Sequence, residues 1–371
     1  MIEYLEVRNS ARTFVGVIDT ATSIIWREDY YGAGEFEVYV MHSEVTRGLL
    51  QIGSYLSKPR SDRLAIIESV EFINNNDGAM IIAKGRMAKS VLDRRLAYSL
   101  SGHTVTPIKI SGNVADAVMH VVDINAGINA GIDRTMGIFL GSDGGITKTI
   151  QTGGEDATRQ SSFQNLLEWT DGVLQEYGCG ARITLTGQNL LYNCYEGTDR
   201  TADSATPVIF SQDFENLIDV DYAQDTTELK TFALVGGEGE GLDRFFATYG
   251  SAIGWSRREV FVDGIEYPRK YRDAQDVEHT YTDAEYTTML QGEAETALKE
   301  HLITETFEGK IDLTLSPFKL GVDFDLGDMV TVQDNRLGLF KDVRILSVTE
   351  VQDTDGYMIN IDFGGENNGN L

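Results

Sequence analysis

The feature that most constrains the fold is a strand pattern that occurs twice, once near each end of the chain. The first copy covers residues 52–57, 66–72 and 80–85, and the second covers residues 326–331, 344–351 and 358–364. Each copy has a short strand after a glycine (Gly53 or Gly327), then a longer strand, an Asp-Gly turn and a closing strand. Asp-Gly between alternating apolar runs predicts a hairpin, because the turn requires positive φ. Two such units predict two similar small barrels or sandwiches, with Gly53 and Gly327 at equivalent positions.

The chain length agrees with several domains rather than one. A sequence of 371 residues is too long for a single ordinary core, so we expect two to four domains. Paired similar barrels also have a geometric consequence, since three chains with two barrels each can form a pseudo-six-fold ring. The repeat is therefore a first indication of function.

The charge balance excludes some classes of partner. The chain has 31 basic and 58 acidic residues, a net charge of −27. Nucleic-acid binding needs clustered Lys and Arg, so we expect no specific binding to DNA, although an acidic wall suits a conduit through which DNA slides. No apolar run approaches the roughly 18 residues of a membrane span, and no signal peptide is visible, so we expect no stable membrane insertion. Without an export signal, Cys179 and Cys194 are expected to be reduced core thiols.

Periodicity gives a coarse assignment of the elements. Alternation predicts strands over 14–18 and 34–40, and helical spacing predicts a helix over 113–124. The pair Ser161 and Gln164 predicts a capping box at the head of a second helix that stops at Gly178. The pair Thr282 and Glu285 predicts a capping box for a third helix.

The sequence contains no recognisable catalytic constellation. It has no HExxH, CxxC or GxSxG pattern, and the glycine-rich stretch 236–241 lacks a nucleotide-binding signature, so a turn is expected there. The acidic runs Asp323-x-Asp325-x-x-Asp328 and Asp219-x-Asp221 do not fit an EF-hand. We therefore expect no catalytic residues, no metal site and no cofactor, and we predict that the protein is not an enzyme.

Several phrases together resemble one protein family. They are Trp26-Arg27 with Gly34-Glu35-Phe36-Glu37, the stretch 195–201 leading to 208–211 and Asn216-Leu217, and the stretches 233–239, 254–259 and 326–330. In this order they resemble the baseplate-hub proteins of siphophage tails, a family related to the hub of contractile tails. The resemblance spans nearly the whole chain.

The resemblance implies a mainly β (α+β) fold with two similar antiparallel β-barrel tube domains and two inserted α+β domains. On this view residues 1–105 plus 206–235 form the first barrel, and residues 106–205 form an inserted domain. Residues 236–310 form a second inserted domain, which contains the capped helix, and residues 311–371 form the second barrel. Larger hubs carry a C-terminal lytic or receptor-binding extension, and because the sequence stops at Leu371 we expect none here.

The resemblance also implies a function and a set of partners. The family forms a homotrimeric hub at the tail tip that joins the hexameric tail tube to the distal tip and forms part of the DNA conduit used in genome ejection. The implied partners are the tail tube, distal tail proteins, the tape-measure protein and tip or receptor-binding proteins. The implied location is the virion tail tip, after assembly in the host cytoplasm. The resemblance fits a phage protein and the hub of a phage-derived particle equally well, because the two differ in biological origin and not in physical properties.

Candidate assembly or packing residues lie within the family-like phrases: Trp26, Asp199, Arg200, Trp255 and Arg258. Asp199 and Arg200 have two interpretations, a local ion pair in a turn or a contact that supports domain packing or the trimer. A different class of function also stays open, a carbohydrate-binding or carbohydrate-degrading β-protein. In that case aromatic residues would stack on sugars, with Trp26, Tyr30, Tyr31, Trp169 and Trp255 as candidates.

Overall fold

Strands predominate in the structure, which confirms the expected mainly β fold. A computed structural model describes residues 2–75, 78–101, 104–150, 159–161, 163–265, 267–272, 277–311 and 316–365. The first of two compact units consists of Met1–Gln151, Thr158–Asp221 and Phe307–Gly364, and the second is built around Tyr222–Thr306. Among the described helices, none is both long and apolar enough to cross a membrane. Asp77 of the first predicted hairpin turn lies outside the described residues.

The first copy of the strand pattern lies in the N-terminal part of the first unit, and from here on we call this whole part, β1 to β7, the first repeat. Its elements are β1 (Leu5–Arg8), β2 (Phe14–Ile18), β3 (Ala21–Asp29), β4 (Glu35–Met41), α1 (Glu44–Leu49), β5 (Tyr55–Ser57), β6 (Ala65–Asn75) and β7 (Gly78–Met87). All neighbouring strands in the order β3-β4-β7-β6-β5-β1-β2 are antiparallel. Alternate residues of β3 and β4 are buried, as expected for a sheet with one face on the core.

The segment after β7 contributes two helices and a small sheet. It contains a 3₁₀ helix (Ala88–Arg94), β8 (Ser99–Ser101), β9 (Thr104–Thr106), β10 (Lys109–Ile110), α2 (Val114–Asn125), β11 (Ile138–Leu140), β12 (Arg159–Gln160), α3 (Leu166–Glu176), β13 (Gly180–Thr186) and β14 (Asn189–Tyr195). The apolar faces of α2 and α3 pack in one core with β13, β14 and residues of the first repeat such as Leu64 and Ile66. Cys179 and Cys194 are buried in this core as free thiols.

The second copy of the strand pattern lies in the C-terminal part of the first unit. From here on we call this part, with the strands that pair with it, the second repeat. The chain passes through β15 (Asp199–Arg200), β16 (Ile209–Ser211) and β17 (Asp219–Asp225), and the later strands are β23 (Thr304–Ile311), β24 (Met329–Asp334), β25 (Leu339–Asp353) and β26 (Gly356–Gly365). β24 pairs antiparallel with β25 on one side and parallel with β15 and β16 on the other. In its core the rings of Phe210 and Phe324 pack in a T-shaped arrangement, with their centroids 5.2 Å apart.

The two repeats have the same hydrogen bonds at the start of the short strand. Gly53 N donates to Ile67 O (2.8 Å), and Ile67 N donates to Ser54 O (2.8 Å). In the second repeat Gly327 N donates to Ile345 O (2.9 Å), and Ile345 N donates to Asp328 O (2.9 Å). Both glycines have positive φ, 85° and 90°. The predicted equivalence of Gly53 and Gly327 is confirmed.

A single strand pair joins the two repeats into one sheet. β25 pairs with three strands: with β26, with β24 through Leu339–Arg344 and, antiparallel, with β3 through Ser347–Gln352. The register places Glu350 opposite Trp26 and Val348 opposite Glu28. We call this β3–β25 junction, with the side chains that pack on it, the seam.

The second unit is a three-stranded sheet covered by a helix. It contains β18 (Phe232–Gly236), β19 (Phe246–Tyr249), β20 (Glu259–Asp263), β21 (Lys270–Arg272), β22 (Glu278–Thr280) and α4 (Asp283–Glu300), with short 3₁₀ turns at Gly241–Asp243 and Gly254–Ser256. β19 and β20 flank β18. The helix begins with the predicted capping box, in which Glu285 N donates to Thr282 and the Glu285 side chain accepts from Thr282 N.

The predicted cap of α3 was wrong. The N-cap is Asn165, whose side-chain oxygen accepts from Leu167 N and Glu168 N, and the helix begins at Leu166. The Ser161 hydroxyl is buried and serves other partners, since it donates to Ala97 O and accepts from Ile108 N. The helices predicted over 113–124 and after Thr282 are confirmed, and α2 has Asn113 as its N-cap.

The predicted division of the chain into four domains stays a prediction. Residues 206–235 were assigned to the first barrel, yet β16 within that range pairs with β24 of the second repeat. The stretch from Phe232 onward belongs to the sheet of the second unit.

We predict different costs for alanine at the two equivalent glycines. At Gly53 a Cβ atom meets nothing within 4 Å, so Gly53→Ala costs only the backbone strain of positive φ, about 1–2 kcal/mol. At Gly327 a Cβ atom would lie 2.4 Å from the buried Tyr30 ring, which adds an overpacking cost of about 1–3 kcal/mol. Urea unfolding of both variants measures the difference. Equal losses would show that the Tyr30 ring moves aside.

Candidate assembly site at the seam between the two repeats

The seam contains a buried carboxylate on the core-facing side of β3. Ile24, Trp26 and Glu28 are buried and alternate with partly exposed positions, and this period places Glu28 among apolar residues. Trp26 is fully buried, and its Nε1 donates to Glu28 Oε1 at 3.0 Å. A buried charge is stable only when it is paired, so Glu28 needs cations from neighbouring elements.

Two cations from the first repeat pair with carboxylates of both repeats. Lys58 Nζ lies 3.0 Å from Glu28 Oε1 and also pairs with Glu350. Arg63 Nη1 lies 2.7 Å from Glu28 Oε2, and its other terminal nitrogen pairs with Asp325. Because Glu350 and Asp325 belong to the second repeat, the cluster ties the repeats together through side chains as well as through backbone.

The charges around Glu28 and Lys58 shift the pKa values of these two side chains. Burial alone would raise the pKa of Glu28, but the charges of Lys58 and Arg63 outweigh burial and hold that pKa well below its usual range. Burial alone would lower the pKa of Lys58, yet Glu28 and Glu350 raise it above its ordinary value. Glu28 and Lys58 are therefore both charged at neutral pH.

A second cluster centres on Asp328 at the start of β24. The buried Asp328 carboxylate accepts from Thr198 N (2.7 Å), Arg200 Nε (2.8 Å) and Asp325 N (2.9 Å). Parallel pairing of β15 with β24 sets Arg200 beside Val330. Asp325 belongs to both clusters, so the segment with Thr198 and Arg200 is connected to the second repeat and the seam by one set of charged hydrogen bonds.

The sequence-predicted site residues fall into two groups. Trp26 lies in the seam, and Arg200 lies in the Asp328 cluster. Asp199 is exposed and bonds only with Thr201 among the contacts described. Trp255 and Arg258 belong to the second unit.

Sequence reasoning missed the charged cluster at the seam, which consists of Glu28, Lys58, Arg63, Asp325 and Glu350. The period-two burial of Ile24 and Trp26 was the one signal that Glu28 faces the core.

The aromatic residues considered for sugar stacking are mostly unavailable. Trp26 and Tyr30 are fully buried, and Trp169 is 6% exposed. Trp255 alone among the three tryptophans is exposed. The acidic run over residues 323–328 also has protein partners, since Asp325 and Asp328 pair with arginines. Across the described ranges, no group of three or more His, Cys, Asp or Glu residues is arranged to hold a metal ion.

We predict that Glu28→Gln destabilises the protein at neutral pH by about 3–5 kcal/mol, because the partly buried cations Lys58 and Arg63 lose a charged partner. The folded-state pKa of Glu28 is lowered, so its contribution is present above the ordinary carboxyl pKa of 4.5 and is lost as pH falls below it. In chemical unfolding, the difference in the free energy of unfolding between the variant and the unaltered protein should therefore become smaller below about pH 4. The exposed pair Glu44–Arg47 supplies the control, and Glu44→Gln should change stability by less than about 0.5 kcal/mol. If the loss in free energy of unfolding caused by Glu28→Gln is the same at every pH, this account is wrong.

We predict that Arg200→Ala lowers stability by about 1.5–3 kcal/mol, because Asp328 stays buried without its cationic partner. Arg47→Ala is the matched control at an exposed pair. Thermal unfolding and solution mass are measured together. If neither differs from the Arg47→Ala control, Arg200 has no packing or assembly role.

Solved structures with a similar fold include several phage and prophage tail proteins. The tail protein from Neisseria meningitidis MC58 has 14% identity and a TM-score of 0.58, with 98% of this chain and 96% of that chain covered. The 43 kDa tail protein of prophage MuSo2 from Shewanella oneidensis has 10% identity and a TM-score of 0.61, with 98% of each chain covered. Prophage tail protein gp18 from Listeria monocytogenes EGD-e has 13% identity and a TM-score of 0.52, with 97% and 94% covered. At these identities the likeness shows the fold alone.

Sequence comparison supplies the family. No curated protein sequence matches the chain. The family model described as Siphovirus ReqiPepy6 Gp37-like protein matches residues 4–365, nearly the whole length. The chain therefore belongs to the Siphovirus ReqiPepy6 Gp37-like family of phage tail proteins.

Proposed function

We propose that this tail protein is a homotrimeric hub at the tail tip, which joins a hexameric tail tube to the distal tip. The observation that carries the proposal is the pair of repeats with equivalent strand starts, joined in one sheet by β3 and β25. Three chains then present six similar modules, which matches a six-fold tube with three copies. The role is structural rather than enzymatic.

An open strand edge supports contact between copies. β2 is the last strand of the sheet order and pairs only with β1 among the described strands. Phe14, Val15 and Val17 are each at least 41% exposed, and β2 contains no charged residue. Edge strands that stay unpaired are commonly protected by charges, so an apolar edge favours addition of a strand from a neighbouring copy.

The net charge supports a conduit rather than a nucleic-acid binding site. At −27 the chain has no surplus of cations with which to hold phosphates, so DNA that passes through a ring of three copies would be repelled by its wall. The proposed partners are the tail tube, distal tail proteins, the tape-measure protein and tip or receptor-binding proteins. The proposed location is the virion, after assembly in the host cytoplasm.

Light scattering of the purified protein tests the trimer, with an expected mass three times 41.0 kDa. Val15→Lys places a charge on the β2 edge and should reduce the mass towards that of one chain. Val45→Lys, at an exposed site on α1, is the matched control and should leave the trimer intact. A monomer at all concentrations would contradict the homotrimer; a trimeric Val15→Lys variant would contradict the edge contact alone.

A further inference from the structure

The main sheet contains the same four-strand arrangement twice. From β17 to β6 the strands lie in the order β17-β23-β26-β25-β3-β4-β7-β6. We call β3, β4, β7 and β6 the first block, and β17, β23, β26 and β25 the second block. In each block the strands that come first, second, fourth and third along the chain lie side by side in that order. The pairing of β3 with β25 is therefore a contact between an end strand of one block and an end strand of the other.

The end strands β6 and β25 have the same register with their neighbours. Ile66 of β6 pairs with the first residue of β5, and Arg344 of β25 pairs with the first residue of β24. Counted from these two residues, Ser69–Asn74 of β6 corresponds to Ser347–Gln352 of β25. The stretch Ser347–Gln352 is the one that pairs with β3. The corresponding stretch of β6 is therefore the place where the first block would receive a strand equivalent to β3.

The outer edge of Ser69–Asn74 has no partner among the described strands. On one side this stretch pairs with β7, and on the other side β5 reaches only Ala65 and Ile66. Burial differs accordingly between the two blocks. Glu350, which lies opposite β3, is 6% exposed, whereas Phe72 at the corresponding position of β6 is 56% exposed. An open strand edge with an exposed apolar side chain is a surface to which another strand can add.

β17 is the strand at the opposite end of the two blocks. It pairs with β23 and with no other described strand, and just before it Ile218 N donates to Lys310 O at 2.7 Å. Within the second block β17 has the position that β3 has in the first block. The three aspartates of β17 do not by themselves prevent pairing, since β3 also contains three charged residues and pairs with β25. The two free edges therefore correspond to the two strands of the β3–β25 junction.

We propose that β17 of one copy pairs with Ser69–Asn74 of β6 in the next copy, and so repeats the β3–β25 junction between chains. The two strands are different edges of the same chain, so the contact is head to tail, and contacts of this kind form a ring when the rotation closes. Three copies would then share one continuous sheet in which each block joins the next in the same way. The proposal rests on the homotrimer and adds to it a second contact, separate from the β2 edge.

Hydrogen exchange of the unaltered protein, measured by mass spectrometry, tests the pairing directly. Backbone amides at an open edge exchange rapidly, and a strand that adds to the edge protects them. Light scattering across a dilution series identifies the concentrations at which the protein is a trimer and a single chain. On assembly we expect exchange to slow at least about tenfold in both 69–74 and 219–225. The control is β20, which pairs only with β18 among the described strands and should exchange at the same rate in both states.

A charge at the proposed junction provides the second readout. At the β3–β25 junction Glu350 has Lys58 as its partner, but Val332 stands at the position of the second repeat that corresponds to Lys58. Phe72→Asp should therefore weaken self-association at least about tenfold, because its carboxylate would be covered without a cation. Phe261→Asp is the matched control, since Phe261 is 52% exposed on β20 of the second unit, and it should associate like the unaltered protein. Thermal unfolding checks that both variants are folded.

The outcomes separate this inference from the trimer itself. A trimer in which both stretches are protected, and which Phe72→Asp weakens, supports the contact between β17 and β6. A trimer in which either stretch exchanges as fast as in the single chain overturns this contact and leaves the trimer intact. A protein that stays a monomer at every concentration overturns both.

Discussion

The rest of the first unit depends on the pairing of β3 with β25. This pairing brings Glu28 and Glu350, two buried carboxylates, to diagonal positions on the same face of the sheet. Two like charges in that arrangement repel, and Lys58 removes the repulsion by pairing with both. The loop between β5 and β6 must therefore hold Lys58 and Arg63 over the junction whenever the two repeats are joined.

The distribution of cations follows from the acidic composition. With 31 basic residues against 58 acidic ones, each cation has a choice of partners. Within the described contacts, Arg63, Arg200 and Arg344 occupy junctions, where their rigid guanidinium groups serve several oxygens at once. Arg244 and Arg257 stack on phenylalanine rings in the second unit. These arginines stabilise contacts between elements of the fold. Because they are used there, they neutralise little of the negative charge elsewhere on the surface.

Signals within a few neighbouring residues predicted much of the fold. Contacts between residues far apart in the chain could not be predicted, because they leave no such signal. The hairpin of the second repeat and the cap of α4 are encoded within a few residues, by Asp355-Gly356 and by Thr282 with Glu285. The cap of α3 failed because Ser161 and Asn165 both suit a helix start, and tertiary partners of the Ser161 hydroxyl decided between them.

The seam was not predictable, since Lys58 and Glu350 are separated by 292 positions and neither carries a motif. The same limit applies to Asp325 and Asp328, which the sequence shows only as part of an acidic run that does not fit an EF-hand. A run of carboxylates shows that counter-charge is needed, but it does not show whether a metal ion or an arginine supplies it. Only the parallel pairing of β15 with β24 brings Arg200 to Asp328.

The double use of β25 restricts how a chain of this design can change in length. Leu339–Arg344 and Ser347–Gln352 are continuous parts of one strand that serve different partners, with only two residues between them. Because side chains alternate with a period of two, a single inserted or deleted residue there would turn one module inside out relative to the other. Insertions and deletions at this point must come in even numbers or be absorbed by a bulge, whereas the loops elsewhere in the unit carry no such parity rule.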